Sequence, residues 1–212
     1  MTNNLIVTIG RQYGSGGRKI GERVAEILGV KFYDKELIDL AAKKSGINLE
    51  LIDSIDERAT NSLLYTLAMG SSIYGGNAHV GYDIPVNDKL FLTQSEIIKE
   101  LADESPCVII GRSADYVLRE YPCHLSVFIY AGLDARIRHV AERNGIGENA
   151  AKDLISKTDK RRANYYNFYT GRKWGQKENY EMCIDSEIIG PEGAAQIIAD
   201  AAKIYRKNKI GQ

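Results

Sequence analysis

Leu5-Ile6-Val7-Thr8-Ile9-Gly10-Arg11-Gln12-Tyr13-Gly14-Ser15-Gly16-Gly17-Arg18-Lys19-Ile20-Gly21 is an apolar strand that runs through a glycine hinge into a helix. Behind the hinge, Ile20, Val24, Ile27 and Leu28 recur at helical spacing and predict one buried stripe. Such a turn aims backbone N–H groups at one point, with the positive end of the helix dipole behind them. That arrangement suits an anion, most often phosphate. The loop departs from the phosphate-binding pattern G-x-x-x-x-G-K-[ST]. Gly16 matches the second glycine, but Gly17 stands at the lysine, Arg18 at the magnesium-binding Ser or Thr, and Arg11 at the first glycine. The dinucleotide pattern G-x-G-x-x-G fits Gly14 and Gly16 and meets Lys19 at its third glycine, while Asp34 follows Gly14 by 20 positions. The loop alone leaves three readings open: a phosphate cradle, a dinucleotide site, or glycines that only let a helix pack close to a sheet.

The chain of 212 residues fits one large α/β domain, or a core with a mobile insert. Lys and Arg number 28 against 28 Asp and Glu, so no global field draws the chain to nucleic acid or to an anionic membrane. No apolar run reaches the roughly 20 residues of a membrane helix. The N-terminus enters a strand without a signal-peptide layout, and a cytoplasmic location is expected. Cys107, Cys123 and Cys183 sit in or beside apolar segments and are expected to be buried, reduced thiols. His79, His124 and His139 show no metal-ligand spacing with them, so no side-chain metal site is expected.

Five apolar runs read as strands: 5–9, 30–33, 107–110, 125–131 and 181–185. Several are continuously apolar, which suits a parallel sheet covered on both faces. Helical patterns separate them, as strand–helix–strand crossovers require. After Pro191, residues Ala194, Ile197, Ile198, Ala201, Ala202 and Tyr205 form the stripe of a last helix. Residues 68–87, with Gly70, Gly75, Gly76, Gly81 and Pro85, read as a long glycine-rich loop.

Residues 156–180 are basic and aromatic. Asp159, Lys160, Arg161 and Arg162 suit a cationic lid, since phosphoryl transfer needs positive charge, positioning and exclusion of water. Two other readings are a solvated charged face with tyrosines on the core, and a stacking platform for single-stranded nucleic acid. Gly111-Arg112 follows the third strand, where ligands of open α/β sheets collect and an arginine can grip a phosphate. Asp34 holds the equivalent place after the second strand, or caps the helix that follows.

In this order the pieces resemble the cytidylate kinase branch of the nucleoside monophosphate kinases, and most closely the divergent cytidylate kinase-like family. The likeness runs through Ile6–Ile9 with the glycine loop, Ile20–Glu26, Phe32-Tyr33-Asp34, Gln94 and Val108–Arg112. It continues through Val127–Ile129 with Arg136, then Asp159–Ala163 and Ile184-Asp185-Ser186. The resemblance implies a P-loop kinase fold over 1–212: a five-stranded parallel sheet flanked by helices, a nucleoside monophosphate (NMP)-binding insert near 35–95, and a lid near 150–178. It implies ATP and Mg2+ as cofactors and nucleotide small-molecule substrates, with no nucleic acid and no membrane as partners. By that resemblance Gly14, Ser15, Gly16 and Gly17 cradle the donor phosphates; on charge alone, Arg11, Arg18 and Lys19 are the neighbouring candidates to offset their charge where the loop lacks its lysine. Arg112 holds the acceptor phosphate. Asp159 and Arg162, with Arg161 beside them, form the lid contacts, and Asp34 opens the NMP-binding helix.

Three departures matter: the loop lysine is absent, Ser113 replaces the aspartate that recognises the base in cytidylate kinases, and Lys35 replaces a serine. The expected activity is ATP-dependent phosphorylation of a nucleoside monophosphate, CMP or dCMP first. The alternatives are a nucleotide-sensing module without chemistry and a kinase of a small non-nucleotide acceptor.

Overall fold

The computed structural model describes residues 3–34 and 86–210. Strand β1 (Ile6–Arg11) leads into helix α1 (Gly17–Leu28) and strand β2 (Lys31–Tyr33). Helix α2 (Val86–Glu104), strand β3 (Cys107–Ile110) and the short α3 (Ala114–Val117) follow. Then come β4 (His124–Tyr130), α4 (Leu133–Asn144) and the long α5 (Glu148–Thr170). A 3-10 turn, β5 (Met182–Asp185), α6 (Ser186–Ile189) and α7 (Pro191–Ile210) complete the chain.

The strands form one sheet in the order β2-β3-β1-β4-β5, with every neighbouring pair parallel. The expectation of a five-stranded parallel sheet flanked by helices holds. Continuous apolar strands arise because alternate side chains serve two cores. Val7, Ile9, Val108 and Ile110 pack with α1 and α7 on one face. Ile6, Cys107 and Ile109 pack with Ile97, Ile98 and Leu101 of α2 on the other. Each fully buried Val or Ile contributes about 2 kcal/mol.

Local differences from the sequence reading have simple causes. Strand β1 runs on to Arg11 because Gly10 and Arg11 still pair with Phe128 and Ile129. Cys107 and Cys123 are buried as expected, but Cys183 is exposed, since β5 is the outer strand of the sheet. The stripe of α7 is rotated: Ala195 and Ala199 are buried, whereas Ile197 is 44% exposed. Of the expected insert near 35–95, residues 35–85 lie outside the described residues and 86–95 belong to α2. Most of the glycine-rich stretch 68–87 is likewise outside them. Among the described residues no helix is long and apolar enough to cross a membrane.

His124 opens β4 inside the apolar layer, its ring 2.7 Å from Thr8 Oγ1. Burial pulls its pKa from 6.5 to about 4, against a smaller opposite pull from Glu181. The unfolded chain therefore takes up a proton that the folded chain resists. This contribution to stability is complete above pH 6.5 and is lost as pH falls towards 4, amounting to about 3 kcal/mol. Urea unfolding of the wild type and His124→Gln between pH 8 and pH 4 checks it. The wild type's advantage shrinks as pH falls; an advantage independent of pH refutes the assignment.

Candidate active site

The loop after β1 is shaped by two left-handed glycines, Gly14 at φ +85° and Gly16 at φ +74°. A Cβ on Gly14 would sit 2.9 Å from Val140 Cγ2, whereas one on Gly16 would meet nothing nearer than Ile20 Cδ1 at 4.0 Å. Packing therefore does not account for Gly16; its backbone conformation does. Close helix–sheet packing does account for Gly21, where a Cβ would strike Ile110 Cδ1. Helix α1 starts at Gly17 with no side-chain cap and no acidic residue in its first turn. Its leading N–H groups lack intrahelical partners and stand at the positive end of the dipole. Ser15 Oγ donates to Gln12 O at 2.9 Å, so this hydroxyl serves the loop's own shape.

The candidate cations divide. Arg11 passes across the start of α1, where a Cβ on Gly17 would come within 2.6 Å of Arg11 Cβ. Its guanidinium reaches Gly111, the residue after β3, where any Cβ would collide with Nη1. It also lies 3.9 Å from Asp34. Arg18 instead points outward, 54% exposed, with Nε donating to Asp34 at 2.8 Å and Nη1 facing Glu22 at 3.4 Å. Lys19 is exposed.

Helix α5 is tied to the loop by charge. Asp159 Oδ1 accepts from the Tyr13 N–H at 2.7 Å, and Oδ2 accepts from Arg136 Nη1 at 2.6 Å. Arg162 donates to Arg11 O at 2.9 Å. Burial pulls the Arg162 pKa below its usual value, partly countered by Asp159. Two tyrosines of α5 fasten it to α2: Tyr165 donates to Gln94 and Tyr169 to Asp88, each at 3.1 Å. Phe91 stacks on Tyr169 with centroids 4.2 Å apart. The aromatic run is thus divided between internal packing and the site, and Phe168 is exposed.

These elements enclose a cavity of about 150 Å³. Arg11, Arg112, Arg161 and Arg162 line it, against the carboxylates of Asp34 and Asp115. Tyr165, Tyr166, Trp174 and Tyr180 supply its aromatic wall. Asp159, Arg18, Lys19 and Gly14–Gly17 lie outside that lining, and Arg11 bridges the glycine turn and the cavity.

The wall beside Arg112 is strained. Gly111, Arg112 and Ser113 have φ of +71°, +55° and +52°. Two non-glycine residues in this region cost about 1–2 kcal/mol each, the kind of strain that collects at functional sites. Ser113 Oγ is buried there without a hydrogen-bond partner. Asp115, next along, is 8% exposed, and its Oδ2 accepts from the Tyr166 hydroxyl at 2.7 Å. Burial pushes its carboxyl up to about 6, while the Tyr166 hydroxyl and local backbone N–H groups pull the other way. Sequence reading missed Asp115, and its only signal was an acid two positions past Ser113.

Removing Asp159 strands the Arg136 guanidinium, whose side chain is 10% exposed, and the Tyr13 N–H. Asp159→Ala is expected to cost about 3 kcal/mol in urea unfolding. A loss under about 1 kcal/mol, the range of an exposed pair, contradicts this account of the tie.

A model of the cytidylate kinase-like family matches residues 6–188. A cytidylate kinase of Pyrococcus horikoshii is 24% identical over 201 residues, spanning 94% of this chain and 88% of that protein. A crystal structure from Eubacterium ventriosum, described as an uncharacterized protein, matches with a TM-score of 0.68 at 26% identity, over 94% of this chain and 98% of that one. Shikimate kinase from Bacteroides thetaiotaomicron shares the fold at a TM-score of 0.54 and 12% identity, over 94% of this chain and 98% of its own. The matched span takes in the sheet, the glycine loop, the Gly111–Ser113 turn and α5, and the chain belongs to the cytidylate kinase-like family, with the fold of the P-loop kinases.

Proposed function

We propose that this protein transfers a phosphoryl group from ATP to a nucleoside monophosphate, with CMP or dCMP the first acceptor to test. The observation that carries the reading is the cavity lined by four arginines, joined to the glycine turn by Arg11. An arginine-lined cavity of this kind suits phosphoryl transfer, which is catalysed mainly by positioning and by offsetting charge.

The donor phosphates rest on the N–H groups at Gly14–Gly17, and the acceptor phosphate is gripped by Arg112, with Arg161 and Arg162 above it. Asp34 stands on the acceptor side, held by Arg18. Arg11 extends from the end of β1 towards Gly111, between the two phosphates. It supplies the charge that the absent lysine supplies elsewhere, and its larger fork is accommodated by the missing side chains at Gly17 and Gly111. The acceptor oxygen attacks directly, so no side chain serves as a covalent nucleophile. Mg2+ would be held through the donor phosphates seated on the Gly14–Gly17 turn and would supply neutralising charge there. Helix α5, carrying Arg161 and Arg162 and tied to the loop through Asp159, covers the site and excludes water.

Purified protein with ATP and Mg2+ is expected to phosphorylate at least one of a panel of monophosphates, read by coupled assay or phosphorus NMR. Nucleotide binding without product favours a sensor. Product only from a non-nucleotide acceptor replaces the monophosphate reading. Among the cations, Arg11→Ala is expected to lower kcat on the order of a hundredfold, whereas Lys19→Ala leaves it nearly unchanged. Equal effects of the two variants refute the role of Arg11. Gly111→Ala gives a second check, since its Cβ displaces the Arg11 fork and lowers kcat with Arg11 itself unaltered.

A further inference from the structure

Ser186 follows β5 directly and opens α6. The Asp185 carboxylate caps that helix by accepting from the Glu187 N–H at 3.0 Å, while the Ser186 hydroxyl turns inward and is buried. Its Oγ reaches over the end of β4, 3.0 Å from Tyr130 O, to Ser15 O at 2.7 Å. A serine hydroxyl carries one proton. The shorter contact gives it to the glycine loop, 171 positions earlier in the chain. The carbonyl so held belongs to the Ser15–Gly16 peptide. Carbonyl and N–H of a trans peptide point in opposite directions, so drawing Ser15 O towards α6 turns the Gly16 N–H away from it. Gly16 is partly exposed between buried Ser15 and Gly17. Among the described residues no carbonyl or side chain accepts from its N–H. The backbone alone does not keep this peptide one way round: Gly16 stands at φ +74°, and a glycine takes either sign of φ about equally readily. A flipped peptide would present the Ser15 carbonyl oxygen where the N–H now stands, and that oxygen repels an anion.

We infer that Ser186 is a positioning residue for the donor phosphates: by holding Ser15 O, its hydroxyl locks the Ser15–Gly16 peptide with the N–H presented to the anion. This rests on the donor reading above, in which phosphates meet the N–H groups at Gly14–Gly17, and is independent of which acceptor is used. Ser186 itself touches no phosphate. Ser15 cannot do the same work, since its own hydroxyl donates to Gln12 O. The clasp carries extra weight in a loop without its lysine, where the N–H groups take a larger share in offsetting phosphate charge.

Wild type, Ser186→Ala and Ser186→Cys are titrated calorimetrically with ATP and Mg2+ and, separately, with CMP. The Gly16 amide is followed by nitrogen–proton NMR during the ATP titration. Both variants are expected to bind ATP about tenfold more weakly, with CMP affinity unchanged. The downfield shift that ATP gives the Gly16 amide proton in the wild type shrinks in both. A thiol is nearly the size of the hydroxyl but a weak donor, so Ser186→Cys decides the matter should Ser186→Ala fail to fold. Variants that bind ATP as the wild type does, or that lose ATP and CMP affinity in equal measure, overturn the role of Ser186. So does a wild-type Gly16 amide that does not respond to bound ATP. A wild type that binds ATP but not CMP counts against the acceptor reading alone, and the ATP and amide measurements then decide. A wild type that binds no ATP overturns the donor reading, and this inference with it.

Discussion

Asp159 spends one carboxylate oxygen on the Tyr13 N–H and the other on Arg136, and the candidate site depends on that tie. It fixes the glycine loop, α4 and the middle of α5 to one another. Arg162, three residues further along α5, then reaches the carbonyl of Arg11. The remaining turns of α5 carry Arg161, Tyr165 and Tyr166 over the ends of β1 and β3. Without a fixed register between α5 and the loop, these side chains would not meet the residues that follow the strands.

The cavity concentrates positive charge at some cost to the fold. Four arginines face one another across a small volume, and Arg162 is held where burial opposes its charge. The Gly111–Ser113 turn adds backbone strain and a hydroxyl without a partner. The two apolar layers on either side of the sheet supply the stability that tolerates these features. Polyanionic ligands would relieve part of the repulsion, so their binding would stabilise the fold around the cavity.

The fold was largely legible because its signals are local. Continuous apolar runs separated by helical stripes can only be buried by a parallel sheet with helices on both faces. Strand ends were less legible, since pairing across the sheet decides them: Gly10 and Arg11 read as hinge but are held in β1 by Phe128 and Ile129. The site was legible in part. Arg11, Arg112, Arg161, Arg162 and Asp34 do come together around one cavity. Asp159 was visible as a charged residue in a basic run, but its engagement with Tyr13 and Arg136 was not, because both partners are distant in sequence.

The sequence by itself determined the strand–glycine–helix unit, the alternation of strands and helices, and the loss of the loop lysine, since each follows from composition and spacing over a few residues. Only the tertiary structure decided which cation turns inward. Arg11, Arg18 and Lys19 are equivalent as charges along the chain, and the absence of a Cβ at Gly17 and Gly111 opens a path for Arg11 alone of the three. It also decided that Asp115, unremarkable between Ala114 and Tyr116, faces the same cavity as Arg112. Three successive left-handed residues follow β3, and no local pattern specifies where the next carboxylate will point.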